Sequence, residues 1–245
     1  LVTMKWFDDV WMKEVFANFM AAKIVEPAFP EVRHDVNFFL SHQPAAYEVD
    51  RSKGTHPIRQ TLPNLSEAAD LYGAIIYQKA PVVMKQLELI VGEENLRDGL
   101  KEYLSRFRFG NADWHDLIEI LDSQTAEDLA AWSRRWVEEP GRPTLSVERV
   151  DDGIQIRQDD PAGEGRLWTQ SINIGFFGPS GHTAETLVVR DELEKVQRPA
   201  ATGEVVIPGF RGLAYGWFRL DPLTLELLPE HRPQVADPVA RAVAW

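Results

Sequence analysis

The chain has 245 residues, enough for one large domain or two smaller ones, each with a core of its own. Its 26 basic and 38 acidic residues leave a net charge of −12, which does not suit a nucleic-acid backbone as partner; an acidic field suits a cationic ligand such as a peptide N-terminus, although solubility accounts for the same charge. Cysteine is absent, which excludes disulfides, Cys-ligated zinc and a Cys nucleophile, and neither a signal peptide nor an apolar run near the ~18 residues of a membrane span is visible.

Hydrophobic residues make up 44% and charged residues 26%, the balance of a soluble globular protein. A cysteine-free chain is equally at home in cytosol and periplasm, so the compartment stays open.

Up to about residue 140, apolar residues recur at three- and four-residue spacing, and after it they alternate. Asp8 and Asp9 precede Val10-Trp11, Val15-Phe16 and Phe19-Met20, which predicts a helix from about Asp9 to Val25 with an acidic N-terminal cap, ending before Pro27. Pro30 to His42 reads as a second helix. Residues 43 to 65 carry Pro44, Gly54, Pro57 and Pro63 and read as an extended loop. Ser66 and Glu67 open a further helical region, strongest from Gly73 to Val91. Pro81 inside it implies a kink unless it sits in a first turn. Glu93 to Phe107, Ala112 to Ser123 and Asp128 to Glu138 complete the helical run, which Pro140-Gly141 ends.

From Thr144 the period is two. Leu145 to Val150, Ile154 to Arg157 and Ser171 to Phe176 read as strands, with Asp151-Asp152-Gly153 as a hairpin turn between the first two. Leu187 to Val189, Val205 to Ile207 and Leu213 to Leu220 add further strands, and strands at this spacing predict a small β-sandwich. From Asp221 helical character returns through Leu223, Leu225 and Leu227-Leu228. Asp237-Pro238 then opens a segment from Val239 to Trp245 that reads as a truncated helix of a further domain. The fold class expected is therefore multidomain α + β.

The common assembled sites are absent. The histidines are His34, His42, His56, His115, His182 and His231, and no two lie three or four residues apart, so no helix offers two imidazoles on one face to a zinc ion. There is no Gly-x-Ser-x-Gly elbow, phosphate-binding Gly-Lys-Ser/Thr loop or Gly-x-Gly-x-x-Gly.

Leu1-Val-Thr-Met-Lys-Trp-Phe-Asp-Asp-Val-Trp-Met-Lys-Glu14-Val-Phe-Ala-Asn-Phe-Met20 resembles the segment that follows the His-Glu-x-x-His motif in the M1 family of zinc aminopeptidases, the gluzincins. In that family the second His is followed by eighteen residues and then by a Glu that is the third zinc ligand. Members commonly read Gln-Trp-Phe-Gly-Asn between that His and a Leu-Val-Thr segment. Those five residues, followed by the thirteen that precede Glu14 here, close the spacing on Glu14. The resemblance thus implies that Glu14 is a zinc ligand, that Zn2+ is the cofactor of the longer protein, and that this chain is a fragment beginning just after the motif. Taken alone, Glu14 reads as a solvated helix-surface residue.

Leu71-Tyr-Gly-Ala-Ile75-Ile-Tyr77-Gln-Lys79-Ala80 resembles the family's Phe/Leu-x-x-Ile-x-Tyr-x-Lys-Gly, whose tyrosine stabilises the tetrahedral intermediate. The resemblance implies that Tyr77 is catalytic and donates its phenol proton to the developing oxyanion, an effect worth about 3–4 kcal/mol of barrier. Tyr72 stands at the wrong offset from Lys79 for that role. Thr55-His56-Pro57-Ile58 resembles the Ser-His-Pro-Ile that precedes the tyrosine segment, which makes His56 a loop or packing residue. Leu104 to Asp116 and Trp132 to Pro143 resemble the end of the catalytic domain.

These matches imply three parts. Residues 1–143 form the helical C-terminal half of a thermolysin-like catalytic domain, 144–220 a small β-sandwich, and 221–245 the start of a C-terminal helical domain. Peptide substrates and the missing N-terminal part of the same chain are the implied partners. One carboxylate does not hold zinc tightly, so the isolated fragment is expected to be inactive. Glu14 and Tyr77 are expected to face a common cavity, and apolar surface is expected to be exposed near Trp6, Trp11 and Phe16.

Three departures from the family pattern stand out: Lys13 and Val15 flank the ligand where Asn and Gly are usual, and Ala80 replaces the Gly after Tyr-x-Lys. They motivate an alternative, a non-catalytic M1-like module that binds peptides or serves as a scaffold.

Overall fold

The structure, a computed structural model, describes residues 1–151, 153–178, 181–196, 198, 203–231 and 235–244. It mixes helix and sheet and divides into two compact units, Leu1–Gly141 and Arg142–Trp245.

The first unit is helical. Strand β1 (Thr3–Met4) pairs in parallel with β2 (Asn111–Ala112), tying the start of the chain to the turn before a later helix. Helix α1 runs Val10–Val25 and ends where Pro27 predicts. Its acidic entry differs from expectation: neither Asp8 nor Asp9 caps the helix with its side chain. Asp8 accepts from the backbone N–H of Leu62 at 2.6 Å, and buried Asp9 pairs with Arg59 at 2.8 Å. Both carboxylates therefore pin the 59–62 segment to the head of α1.

Helix α2 spans His34–Asp50. Pro30–Val32 is only a 3-10 turn, and Arg33 in a left-handed conformation (φ 51°) separates it from the helix. The helix then passes through Pro44, where a loop is predicted from residue 43. Pro44 lies on the exposed side, where water can satisfy the carbonyl that it leaves unpaired. Gln43, Ala46 and Asp50 form the buried stripe that carries the helix onward.

A π-turn, Ile75–Lys79, leads directly into α3 (Ala80–Val91), so Pro81 falls in a first turn, where it costs no hydrogen bond. Helices α4 (Glu93–Arg106), α5 (Trp114–Asp122) and α6 (Leu129–Ser133) follow, and a second π-turn, Arg134–Glu138, continues α6. Asp113 and Asp116 form a reciprocal capping box at the head of α5. The core gathers Val10, Trp11 and Val15 of α1 with Ile75, Ala80, Val83 and Leu87 of the π-turn and α3. Trp11 and Trp114 meet edge to face with ring centroids 4.8 Å apart.

The second unit holds β3 (Thr144–Val150), β4 (Gly153–Asp159), β5 (Gln170–Gly178), β6 (Gly181–Val189), β7 (Leu193–Lys195), β8 (Val205–Pro208) and β9 (Trp217–Arg219). One sheet has the order β7-β4-β3-β9, the other β6-β5-β8. All pairs are antiparallel except β3 with β9. Asp152 of the expected hairpin turn lies outside the described residues, but the flanking strands pair as that turn requires, with Val150 opposite Gly153.

Leu145, Val147, Ile154 and Ile156 from the first sheet share one core with Ile172, Ile174, Phe176 and Val206 from the second. Period-two alternation then gives the second sheet a further apolar face. Phe177, Val205 and Ile207 pack with Phe210 and with α7 (Pro222–His231) and α8 (Pro238–Val243). Trp245, the end of the predicted last helix, lies outside the described residues.

Gly175 on β5 has no room for a side chain: a Cβ there would stand 2.7 Å from Phe210 Cγ and 2.9 Å from Phe177 Cε2. Both rings are buried and meet edge to face at 5.2 Å, so neither can retreat freely. Gly175→Val is expected to destabilise the protein by about 1–3 kcal/mol through overpacking. Denaturant titration of the variant beside wild type checks this.

Candidate active site

Glu14 lies in the second turn of α1, on the partly exposed side, while its neighbour Val15 points into the core and is fully buried. The Glu14 carboxylate is 28% exposed and lies 3.5 Å from the Lys13 ammonium, itself largely in solvent. A carboxylate so loosely held is free to take another cation.

Tyr77 sits in the middle of the π-turn Ile75–Lys79. A π-turn is wider than an α-turn and is frequent at functional sites. Ile75, Ile76 and Lys79 point inward and are buried, leaving Tyr77 partly exposed. The Tyr77 backbone is held from both ends, its N–H donating to the Gly73 carbonyl at 3.0 Å and its carbonyl accepting from His42 Nδ1 on α2 at 3.1 Å. The Tyr72 ring stacks beside it, centroids 6.1 Å apart and planes at 21°.

Partial burial pushes the Tyr77 phenol above its ordinary value, and the negative charge of Glu14 pushes it further, against the opposing charge of Lys13. The packing thus brings the two residues singled out from the sequence into one electrostatic neighbourhood. A phenol shifted upward keeps its proton throughout the neutral range and is a hydrogen-bond donor there.

Burial pushes the His42 imidazole down from its ordinary value, against the bond to the Tyr77 carbonyl, which raises it. A folded pKa below the unfolded one means that the unfolded chain binds the extra proton first. This contribution to stability is therefore complete above the unfolded value of about 6.5 and is lost as pH falls through the folded one. Denaturation midpoints at pH 7.5 and pH 5 are expected to fall further apart for wild type than for His42→Gln.

Among the described residues no three His, Cys, Asp or Glu side chains come together as a metal site. A catalytic zinc takes three protein ligands and leaves one position open. Glu14 fits one of those positions, as an oxygen donor with no buried partner, and the described residues do not supply the others.

One expectation needs correction. Trp11 is not exposed; it is 2% accessible and packed on Trp114. Trp6 is exposed at 43%, although its indole N–H donates to the Leu62 carbonyl, and Phe16 is half-buried. A cavity of about 870 Å³ lies between α1, α4 and the β1–β2 pair, with Met12, Phe16 and Leu100 in its walls; Glu14 and Tyr77 are not among its lining residues. His56 is a loop residue as expected, its Nδ1 bonded to the Pro57 carbonyl at 2.8 Å. His42 and Tyr72 flank Tyr77 without having been singled out as site residues. His42 falls within the helix read from Pro30 to His42, but nothing in the sequence links it to Tyr77.

A family model described as the peptidase family M1 domain matches residues 1–136. Aminopeptidase N of Streptomyces lividans is 32% identical over all of this chain and 31% of its own length. A probable aminopeptidase 1 of Saccharolobus solfataricus is 33% identical over 64% of this chain and 20% of its own. Tricorn protease-interacting factor F2 of Thermoplasma acidophilum is 30% identical over 79% of this chain and 25% of its own. The chain thus spans a third or less of these relatives' lengths.

Proposed function

The chain belongs to peptidase family M1, and on that premise we propose that it is the segment of a zinc aminopeptidase that supplies one metal ligand, Glu14, and one oxyanion donor, Tyr77. The observation that carries the reading is that α1, which bears Glu14, packs against the π-turn that bears Tyr77, although the two come from separate stretches of the chain. Residues 1–143 then belong to the helical half of a thermolysin-like catalytic domain, 144–220 to a small β-sandwich, and 221–245 to the start of a helical domain. Two sheets enclosing one core support the β-sandwich, while α7 and α8 pack on the second sheet within the same compact unit.

In such an enzyme Glu14 would be one ligand of a zinc ion, whose chemistry when bound would be to activate water toward the first peptide carbonyl. Glu14 holds its position on α1 because Val10, Trp11 and Val15, which flank it on the helix surface, lock that helix into the core. Tyr77 donates its phenol proton as a hydrogen bond to the carbonyl oxygen as negative charge builds there, and a tyrosine phenol holds that proton throughout the neutral range.

The departures from the family pattern are compatible with this chemistry. Val15 is wholly within the core and leaves the site side of α1 untouched. Ala80 has ordinary helical backbone (φ −60°, ψ −36°), so nothing there requires glycine. Lys13 adds a positive charge beside Glu14, which bears on substrate preference. These placements count against the alternative of a non-catalytic binding or scaffold module.

The test is aminopeptidase action by the whole protein. Peptides with a free amino terminus are expected to lose their first residue, while the same peptides acetylated at that amine are expected to be inert. No release from either set would leave the binding module as the better reading. Among the described residues no helix is long and apolar enough to cross a membrane.

A further inference from the structure

The π-turn that carries Tyr77 ends on Lys79, and the Lys79 ammonium is buried. It lies 2.9 Å from the Asp50 carboxylate, with side-chain exposures of 1% and 0%, and donates to the Gly141 carbonyl at 2.7 Å. Asp50 also accepts from the Thr55 hydroxyl at 2.6 Å, and that hydroxyl accepts from the Gly141 N–H at 3.1 Å. The four residues close a ring. It joins the end of α2, the loop after it and the Pro140-Gly141 turn to the turn that holds the tyrosine. Gly141 has φ 96°, a conformation in which a side chain is strained.

A buried ion pair is a poor source of stability, because desolvation cancels most of its attraction. What it gives is place: the ammonium must sit where a carboxylate and a carbonyl both reach it. Two residues before Lys79, the Tyr77 carbonyl is bonded to His42, which belongs to the same α2 that ends on Asp50. A single helix thus grips the π-turn at two points, one through an imidazole and one through a buried ion pair. Both contacts hold the π-turn from outside it.

We infer that Lys79, through its ring with Asp50, Thr55 and Gly141, is a positioning residue that fixes the π-turn and so aims the Tyr77 phenol. This rests on the reading of Tyr77 as the oxyanion donor. Lys79 touches no substrate, so its effect on rate passes entirely through Tyr77.

That dependence is measurable by a double-mutant cycle in the whole protein, reading kcat, KM and zinc content. Lys79→Met is expected to lower kcat by about 10–100-fold, the scale of a misplaced catalytic group, with KM and zinc content unchanged. In the Tyr77→Phe background the same change is expected to lower kcat by less than about two-fold, because the group it aims is already gone. An equal loss in both backgrounds would overturn the inference and leave Lys79 a general stabiliser. Should Lys79→Met fail to fold, Thr55→Val decides by the same comparison, since it removes the hydroxyl that links Asp50 to Gly141 at nearly constant volume. If Tyr77→Phe by itself leaves kcat unchanged, it is the reading of Tyr77 that has failed.

Discussion

Replacing Tyr77 with Phe in the whole protein is expected to lower kcat by about 10²–10³-fold, the loss typical of one oxyanion donor. The ring and its packing are kept, because Phe retains the stack on Tyr72 and both backbone contacts of the π-turn come from main-chain atoms. Only the hydroxyl is removed. The Tyr77 hydroxyl is not among the candidate metal donors, so zinc content is expected to stay at the wild-type level. KM is expected to change little, because the hydrogen bond strengthens only as charge develops on the carbonyl oxygen. Steady-state kinetics with a free-amine peptide, beside metal analysis of the same preparations, checks both halves. A large rise in KM with kcat unchanged would show that Tyr77 binds substrate and does not stabilise the transition state.

Glu14→Gln in the whole protein is expected to lower zinc affinity by at least about 100-fold. Loss of an outer-shell partner already costs about 10–100-fold, and a direct ligand counts for more. The substitution is nearly isosteric, and the Glu14 side chain is partly exposed with Lys13 at 3.5 Å as its ion-pair partner. The fold is therefore expected to survive, and a melting temperature near that of metal-free wild type confirms that the loss is in the site. Residues 1–245 on their own are expected to bind zinc weakly, because one carboxylate is a single donor of the three that a catalytic zinc needs. A tight stoichiometric site in that segment would contradict the ligand assignment.

Much of the architecture could be read from spacing. The four-residue spacing of Trp11, Val15 and Phe19 gives α1, and the alternation of Leu145, Val147, Ile154 and Ile156 gives the β3–β4 hairpin. What escaped was structure imposed by partners distant in sequence. Pro44 suggests a loop, yet the buried faces of Gln43, Ala46 and Asp50 carry α2 through it. The first half of β6, Gly-His-Thr-Ala-Glu-Thr, has no apolar alternation and is exposed; it is a strand because β5 offers it a full antiparallel ladder. The strand expected over Leu213 to Leu220 shrinks to Trp217–Arg219, and the Tyr215 N–H and carbonyl bond to the Gln170 side chain in place of a neighbouring strand. Asp8 and Asp9 look like caps and are cross-links instead, since Arg59 and the Leu62 N–H are better partners than the helix end.

The candidate site divides in the same way. Glu14 and Tyr77 were singled out by their motifs, because neither an exposed helical Glu nor a helical Tyr carries a signal by itself. Their closeness depends on how α1 packs against the π-turn, which spacing does not encode. The Lys79–Asp50 pair was also invisible, since a lysine in a helical segment reads as a solvated charge until the structure buries it.

The most direct test of the account is zinc content and kcat measured together on the whole protein as wild type, Glu14→Gln and Tyr77→Phe. The account predicts about one zinc per chain in wild type and Tyr77→Phe and little in Glu14→Gln, with activity lost in both variants for these different reasons. Full activity in Tyr77→Phe, or undiminished zinc in Glu14→Gln, would contradict the roles assigned to the two residues.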